Sequence, residues 1–474
     1  MIIRTSMSWI DRESQNGNSD REKDYPFARW MSWLFLIASI LILIYTFYRA
    51  EITSQGDNNS FYFKYYLISL AGILFWGVVL RLREGIQANI VTMATFLVVG
   101  FYLIEGGLML LGLGQPPDLR AAAAELGVEY DQRTKLEVIE DLISEGVDAV
   151  PAIRPRDVLT MDERLLPLGG ISNKTTVGEN ESGRRMIYLS DRYGFNNPDS
   201  EWDAKEVGWL LTGDSFTEGL AVEPGKDIAG QLRVITQESA INIGRSGNGP
   251  LMELAELTEY AEVIKPKRVF WIYYKNDLIG LKHHIESLRM SDLQRHKKNR
   301  LLMRYMEDGF SQNLINRQKE IDNMLEKYIV SAKANAQELL GLPPWIRLYE
   351  IRKVIGSNVN INVVDPLFVK ILTKAKSIVE SWEGELYFVY LPDYERYINK
   401  INSQDKFGKK DEVIDLVKQL DIPVIDIHQE VFANHSDPLS LFPFRLPGHY
   451  NADGYAEVAK AIVTSVNKFE QSNK

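Results

Sequence analysis

Three long uncharged stretches in the first quarter of the chain predict membrane-spanning helices. They cover residues 30–48, 65–80 and 85–104. A bilayer core of about 30 Å requires roughly 20 apolar residues in helical conformation, so the first and third stretches have the required length and the second is slightly short. A buried bundle in a soluble protein is the alternative. Because three such stretches follow one another so closely, we favour the membrane interpretation.

The basic residues around these stretches predict how the chain is oriented. Most of them precede the first stretch or lie between the second and the third: Arg4, Arg12, Arg21, Lys23, Arg29, Arg81 and Arg83. Basic flanks stay on the cytoplasmic side. We therefore expect a cytoplasmic segment at 1–29, a transmembrane region at 30–114 in a bacterial cytoplasmic membrane, and an extracytoplasmic remainder. Glu105 is expected at the membrane interface, where a carboxylate costs little; a functional role is the alternative.

Beyond the membrane region the hydrophobic pattern changes twice. Residues 115–200 carry one helical stripe at 134–144 and several prolines, which predicts a membrane-proximal region packed on the main domain. Within 201–474, short apolar strands alternate with helices, which is typical of a parallel sheet with helices on both faces. The predicted strands are 207–212, 240–243, 267–274, 386–391 and 423–427. The polar stretch at about 279–377 is expected to be a helical insertion, a lid or an interaction element.

Composition narrows the possible functions. The chain has 474 residues, a formal charge of −10 and no cysteine. The negative charge argues against nucleic acid as a partner. Without cysteine there is no disulfide, no zinc–thiolate site and no cysteine nucleophile. Neither a dinucleotide-binding glycine motif after a strand nor a Walker sequence occurs, so we expect no nucleotide or other cofactor.

Polar residues follow the predicted strands at positions suited to chemistry. Gly213-Asp214-Ser215 ends the first strand, the glycine-rich segment 244–249 follows the second, Asn276 follows the third, and His449 precedes the last helix. In this order the four blocks resemble the SGNH (GDSL-type) hydrolase family, in its membrane-anchored bacterial type. The resemblance covers about residues 202–466 without the insertion. It implies a flavodoxin-like three-layer α/β/α fold with a five-stranded parallel sheet.

The resemblance also implies a role for each block. Ser215 would be the nucleophile and His449 the base that removes its proton, as a serine hydroxyl requires. The backbone N–H groups of Ser215 and Gly247 and the side-chain amide of Asn276 would form the oxyanion hole. Taken from the residues alone, simpler interpretations stay open. Asp214 or Ser215 would serve equally as a helix cap, Asn276 as a turn residue, and His449 as a surface residue.

Two details of the glycine and histidine blocks are left open by the sequence. Gly244 or Gly249 could replace Gly247 as the oxyanion donor. The family aspartate lies three residues before the histidine, where this chain has Leu446. Either Asp437 or the backbone carbonyl near Leu446 could orient the His449 ring instead. A further departure is Tyr274, which stands where the family has glycine two residues before the asparagine.

The expected function follows from these blocks. It is a serine esterase or O-acyltransferase that acts on ester-linked acyl groups of cell-surface glycans or lipids. The missing aspartate motivates the alternative, a catalytically degenerate glycan-binding or scaffold module. Five other histidines are not part of the blocks. Three lie in the insertion, His283, His284 and His296, and for these a solvated face is favoured over a metal site. The other two, His428 and His435, match no block.

Overall fold

The described part of the chain forms two compact units. The computed structural model describes residues 26–53, 59–110, 118–158, 165–289, 300–338, 351, 364–398 and 409–472. One unit comprises Met1–Leu113 and Pro343–Lys353, and the other comprises Gly114–Leu342 and Val354–Lys474. His296 and the side chain of His283 lie outside the described residues.

The first unit is built from three apolar helices. They are α1 (Pro26–Phe47), continued by a π-helical turn (Tyr48–Thr53), α2 (Asn59–Val79) and α3 (Glu84–Leu110). By length and composition, the stretches Pro26–Ile52, Tyr62–Val79 and Glu84–Leu110 are each long and apolar enough to cross a membrane. The three predicted helices are therefore confirmed.

Two buried polar side chains connect elements within this first unit. Gln87 in α3 donates a hydrogen bond to the Ser32 hydroxyl in α1 at 2.9 Å. Glu105 is buried, and its carboxylate accepts a hydrogen bond from the backbone N–H of Ile351 at 2.9 Å. The sequence suggested only that Glu105 lies at the membrane interface. The structure shows that its carboxylate also has a hydrogen-bond partner within the protein.

The second unit begins with two helices and a small sheet. Helix α4 (Leu119–Glu125) precedes α5 (Lys135–Ser144), which starts at a capping box formed by Thr134 and Glu137. The small sheet contains β1 (Ala149–Pro151), β2 (Thr175–Val177) and β3 (Ile187–Leu189), in that order. The sequence predicted helix α5 but not this sheet, because strands of three residues are too short to show an alternating pattern.

A five-stranded parallel sheet forms the centre of the second unit. The strands are β4 (Trp209–Gly213), β5 (Ala240–Asn242), β6 (Arg268–Tyr273), β7 (Glu385–Tyr390) and β8 (Val424–Asp426). Their spatial order is β5-β4-β6-β7-β8, and all neighbours are parallel. This is the flavodoxin-like order, in which ligands bind at the carboxyl ends of the strands. All five predicted strands are confirmed, and every strand end agrees with its prediction within two residues.

Helices cover both faces of this sheet. They are α6 (Ser215–Glu218), α7 (Ile228–Thr236), α8 (Pro250–Glu256, extended by Leu257–Ala261 and Glu262–Ile264), α9 (Asn276–Arg289), α10 (Gln318–Glu338), α11 (Pro366–Glu380), α12 (Lys410–Lys418) and α13 (Ala452–Ser472). Leu211 belongs to a buried cluster that includes residues of α7 and α13, whereas Leu210 belongs to one that includes residues of α8, α11 and α12. Since successive strand residues point to opposite faces, this arrangement gives the three predicted layers.

Short helical turns complete the second unit. Two are single α-turns at Glu395–Ile398 and Ile427–Glu430. The others are 3₁₀ turns at Pro155–Val158, Asp199–Asp203, Arg304–Met306, Leu314–Arg317, Phe432–Asn434, Pro438–Leu441 and Pro443–Arg445.

The stretch at 279–377 is partly core rather than a peripheral insertion. Helix α11 buries Phe368 and Ile371 in the same cluster as the sheet residues, so it is a regular layer helix. Ile321 of α10 is buried in that cluster as well. The carboxylate of Glu259 accepts hydrogen bonds from the Tyr305 hydroxyl at 2.7 Å and from the backbone N–H of Leu314 at 2.8 Å. The polar composition of this stretch concealed the apolar residues that hold it to the sheet.

Candidate active site

Ser215 lies at the carboxyl end of strand β4, between β5 and β6 in the sheet. The five residues of β4 are buried, and the strand ends at Gly213, whose φ is +156°. A side chain there would bring its Cβ to 2.7 Å from the Ile272 carbonyl oxygen, so only glycine fits. The Asp214 carboxylate then accepts a hydrogen bond from the backbone N–H of Phe216 at 2.9 Å and caps α6. The cap interpretation is therefore correct for Asp214, and the same turn presents the Ser215 hydroxyl.

His449 reaches Ser215 from the segment that precedes α13. Its Nε2 lies 2.7 Å from the Ser215 Oγ, within hydrogen-bond distance, although 234 positions separate the two residues. The ring packs on Phe216 at a centroid distance of 4.5 Å, and Phe216 packs on Tyr274 at 4.3 Å. Tyr274, the departure from the family glycine, thus supports the aromatic contact that holds the imidazole.

The other ring nitrogen of His449 contacts Glu181, a residue that the sequence analysis did not single out. Nδ1 lies 3.0 Å from both carboxylate oxygens, and the backbone N–H of His449 donates to the same carboxylate at 2.9 Å. Glu181 belongs to the loop between β2 and β3. Asn180 fixes this loop, because its side chain accepts the Gly183 N–H and donates to the Asp131 carbonyl, both at 3.0 Å.

Neither of the two groups expected beside the His449 ring takes this place. The Asp437 carboxylate forms an exposed ion pair with Arg445, in which Nη2 lies 2.9 Å from Oδ1. The contacts of Nδ1 are with Glu181, and not with the backbone near Leu446. Asp437 therefore pairs with Arg445 and not with His449. The acceptor for the His449 ring is Glu181, which comes from a distant part of the sequence.

The Glu181–His449 contact shifts the pKa of both groups. Burial raises the pKa of the Glu181 carboxyl, but the hydrogen bonds and positive charge of His449 outweigh it, and the net pKa lies below its usual value. Burial lowers the pKa of the His449 ring. The hydrogen bond to Glu181, with the negative charges of Glu181, Asp214 and Glu218, outweighs burial and brings the net pKa above 6.5. The pair therefore favours an imidazolium beside a carboxylate.

Asn276 is held beside the nucleophile by Asp214. Its amide nitrogen donates to Asp214 Oδ2 at 2.8 Å. An amide nitrogen carries two N–H groups, so one of them remains for a further acceptor. The contact places Asn276 directly next to the residue that precedes Ser215. Asn276 therefore lies close to Ser215 and His449, as the sequence predicted. The role of Asn276 as an oxyanion donor stays a prediction.

Among the three candidate glycines, Gly247 fits an oxyanion donor best. The backbone N–H of Gly244 donates to the Asn242 side chain at 2.9 Å and is already used. Gly249 begins α8 as its N-terminal cap residue. Gly247 has a φ of +82°, in the left-handed region that favours glycine. Its role also stays a prediction.

A buried ion pair fixes the loop that carries Gly247. Arg245 Nη1 lies 2.9 Å from Glu218 Oε1, and both side chains are almost fully buried. Glu218 Oε2 accepts the backbone N–H of Ser246 at 2.7 Å. Arg245 also donates to the Tyr188 hydroxyl at 3.0 Å and to the Ile153 carbonyl at 2.6 Å. The ion pair thereby connects the glycine loop to the end of α6 and to the region before β4.

Several buried carboxyls lie behind the site. Burial, together with the nearby charges of Asp214 and Glu256, holds the pKa of Glu253 well above its usual value. Burial and the charges of Glu253 and Asp214 do the same for Asp277. Asp277 accepts the backbone N–H of Tyr274 at 3.0 Å. Both raised pKa values have the same cause, since burial and neighbouring carboxylates disfavour the charged form.

The remaining described histidines are not part of the site. His428 Nδ1 contacts the Tyr397 hydroxyl at 2.9 Å, and burial lowers the pKa of His428 to about 4. His435 Nδ1 accepts the backbone N–H of Asp437 at 3.1 Å. Burial lowers the pKa of His284 to about 4 as well. Within the described ranges, no group of three or more His, Asp or Glu side chains is arranged to hold a metal ion.

Comparisons with known proteins find distant structural matches and no sequence relative. No protein-family model and no curated protein matches the chain. Among solved structures, a protein assigned to the G-D-S-L family of lipolytic proteins from Desulfitobacterium hafniense DCB-2 is 12% identical; the match covers 55% of this chain and 99% of that one, with a TM-score of 0.30. A two-domain esterase active on acetylated mannans, co-crystallised with mannopentaose, is 12% identical over 57% of this chain and 52% of that one, with a TM-score of 0.29. Likeness at this level does not identify an activity.

Proposed function

We propose that this protein is a membrane-anchored serine esterase or O-acyltransferase of the SGNH type. The observation that carries the proposal is the continuous contact from the Ser215 hydroxyl through the His449 ring to the Glu181 carboxylate, at 2.7 and 3.0 Å. A hydroxyl, a base and an orienting acid at these separations form the arrangement that activates a serine for attack on a carbonyl.

The residues divide the reaction into two steps. As the Ser215 Oγ bonds to the ester carbonyl carbon, its proton passes to His449 Nε2, and Glu181 stabilises the imidazolium that forms. The backbone N–H groups of Ser215 and Gly247 and the amide of Asn276 hold the oxyanion. The carbon–oxygen bond to the alcohol then breaks, and His449 returns the proton to the departing oxygen. Water or a second hydroxyl, deprotonated by His449, then bonds to the acyl carbon. The bond from that carbon to the Ser215 Oγ breaks, and His449 returns the proton to Oγ.

The substrate class is inferred from the predicted location. Three apolar helices and the basic residues before and between them support a catalytic unit outside the cytoplasm. Ester-linked acyl groups on surface glycans or on lipids are the esters that a tethered enzyme would meet there. No cofactor is required for this chemistry.

The alternative of a catalytically degenerate module was motivated by a missing acid. Glu181 now occupies the position beside Nδ1 where an acid acts in this chemistry. The reason for preferring a binding or scaffold role is thereby removed, and the esterase interpretation is favoured.

Ester hydrolysis by the full chain in detergent tests the proposal. The wild type should hydrolyse 4-nitrophenyl acetate, and Ser215→Ala and His449→Ala should each lose at least about 10³-fold in kcat. Ser144→Ala removes an exposed serine hydroxyl on α5 and serves as the matched control, with a rate close to that of the wild type. Equal rates for Ser215→Ala and the wild type would exclude Ser215 as the nucleophile.

A further inference from the structure

Arg156 lies against the glycine proposed as an oxyanion donor. It belongs to the 3₁₀ turn Pro155–Val158, in the same region before β4 that supplies Glu181. A Cβ built on Gly247 would be 2.8 Å from Arg156 Nε and 3.0 Å from Arg156 Cζ. The guanidinium therefore occupies the space that a side chain at position 247 would fill. A glycine at this position permits the close approach of the cation.

Among the residues that the structure describes, no partner balances the charge of Arg156. Its neighbour Arg154 takes the nearby carboxylate, because Arg154 Nε and Nη2 both donate to Asp157 at 2.8 Å. Arg156 itself is exposed, and among the described residues it makes neither a hydrogen bond nor an ion pair. Burial of part of the side chain and the positive charge of Arg154 lower the pKa of Arg156, as expected for a cation without a bound anion.

The other charged groups around the nucleophile are satisfied within the protein. Glu181 is paired with His449, and Glu218 with Arg245. Asp214 accepts hydrogen bonds from Asn276 and from a backbone N–H. The unbalanced positive charge at the glycine loop is therefore available to a ligand, in a chain whose overall charge is −10.

We propose that Arg156 binds an anionic group of the ester substrate, a carboxylate or a phosphate. This inference rests on the proposed esterase function and adds the substrate class. The planar guanidinium presents parallel N–H donors that match the two oxygens of either anion. An ester that carries such a group close to the scissile bond would be held by Arg156 while its carbonyl oxygen points to Gly247. Arg156 is thus a specificity-determining residue.

Matched neutral and anionic esters test this assignment. The acetate ester of 4-hydroxybenzoate places a carboxylate on the alcohol side, the acetate ester of 4-hydroxybenzamide is its neutral counterpart, and 4-nitrophenyl hemisuccinate places the carboxylate on the acyl side. We would measure kcat/KM for the full chain in detergent, for the wild type, Arg156→Ala and Arg156→Lys. Arg154→Ala removes the same charge two positions away and is the matched control. Benzoate and phenyl phosphate, as competitive inhibitors, distinguish carboxylate from phosphate.

The expected result is a loss confined to anionic esters. Arg156→Ala should lower kcat/KM for at least one anionic ester by about ten- to a hundredfold, the range for a charge-assisted hydrogen bond, and change the neutral ester less than about twofold. Arg156→Lys should recover part of the loss, and inhibition by benzoate or phenyl phosphate should weaken in Arg156→Ala but not in Arg154→Ala.

Other results would overturn the assignment. An equal loss for neutral and anionic esters would make Arg156 part of the oxyanion hole instead. Unchanged selectivity in Arg156→Ala, with hydrolysis still dependent on Ser215, would refute the inference while leaving the proposed function in place. Hydrolysis of every ester at the wild-type rate by Ser215→Ala would refute the proposed function itself, and the inference with it.

Discussion

Replacement of Glu181 by glutamine tests the least expected part of the site. The substitution keeps the size of the side chain and an oxygen that can accept the Nδ1–H of His449, but it removes the negative charge. At 3.0 Å, a unit charge pair in an effective dielectric constant of about 20 is worth about 5 kcal/mol. Solvent reaches 24% of the Glu181 side chain and 16% of that of His449, which reduces this value. We therefore expect the transition state to lose about 2 to 4 kcal/mol.

That loss corresponds to a decrease in kcat of about 30- to 1000-fold. The pH profile should change as well. His449 must be neutral to accept a proton, and its pKa is held above 6.5, so wild-type kcat/KM should rise with pH through a value above 6.5. Removing the charge of Glu181 removes the main influence that raises this pKa. The acidic limb of the Glu181→Gln profile should therefore lie at lower pH, with a lower plateau.

Steady-state hydrolysis of 4-nitrophenyl acetate between about pH 5 and 9 measures both effects. Glu179→Gln is the matched control, because Glu179 lies two positions away and pairs with Lys135 at 2.6 Å. The reasoning is refuted if Glu181→Gln retains activity within twofold of the wild type, or if its acidic limb moves to higher pH.

Three further predictions concern the groups around this core. Asn276→Ala should lower kcat by about 10²- to 10³-fold with little change in KM, since it removes an oxyanion donor; an unchanged kcat in the ester assay would exclude that role. Arg245→Met should lower the free energy of unfolding by about 3 to 5 kcal/mol, because it leaves the Glu218 carboxylate buried and unpaired. In urea unfolding followed by tryptophan fluorescence, the double variant with Glu218→Leu should lose less than Arg245→Met alone, whereas equal or greater loss would contradict the ion-pair argument. Gly247→Ala should lower kcat/KM for all esters, because a φ of +82° and contact with Arg156 both oppose a Cβ; full activity would show that this loop is not close to the reaction.

Much of the fold followed from local pattern. Buried strands of a parallel sheet give continuous apolar runs, and the five strands of the second unit were found from such runs. The nucleophile and the base were found because each belongs to a short block at a strand end or a helix start. The contact between Ser215 and His449 then follows from the topology, since the carboxyl ends of parallel strands meet at one edge of the sheet.

Glu181 could not be found in the same way. It lies 268 positions before His449, in a loop between two strands of three residues, and no periodicity marks that loop. The sequence showed only that Leu446 replaces the family aspartate. Asp437, the acidic residue expected to orient the histidine, has its carboxylate paired with Arg445 instead. The identity of an acid supplied from a distant segment depends on tertiary packing that local sequence does not encode.

The same limitation explains the assignment of α11 to an insertion. The stretch predicted as an insertion is rich in charged residues over most of its length, so the start of the regular crossover helix is not evident from the sequence. Phe368, Ile371 and Val379 form an apolar stripe that is buried against the sheet. Such a stripe is typical of a layer helix, and it was concealed only because the surrounding segment is long and charged.

Covalent labelling of Ser215 tests the central claim most directly. The full chain in detergent would be treated with a fluorophosphonate, and the modified peptide would be identified by mass spectrometry. We predict that the label is found on Ser215, and that His449→Ala and Glu181→Gln slow its attachment by more than about tenfold, as expected for a hydroxyl activated by these two residues. Absence of the label from Ser215, or labelling at the wild-type rate in both variants, would contradict the claim that the three side chains act as one nucleophilic unit.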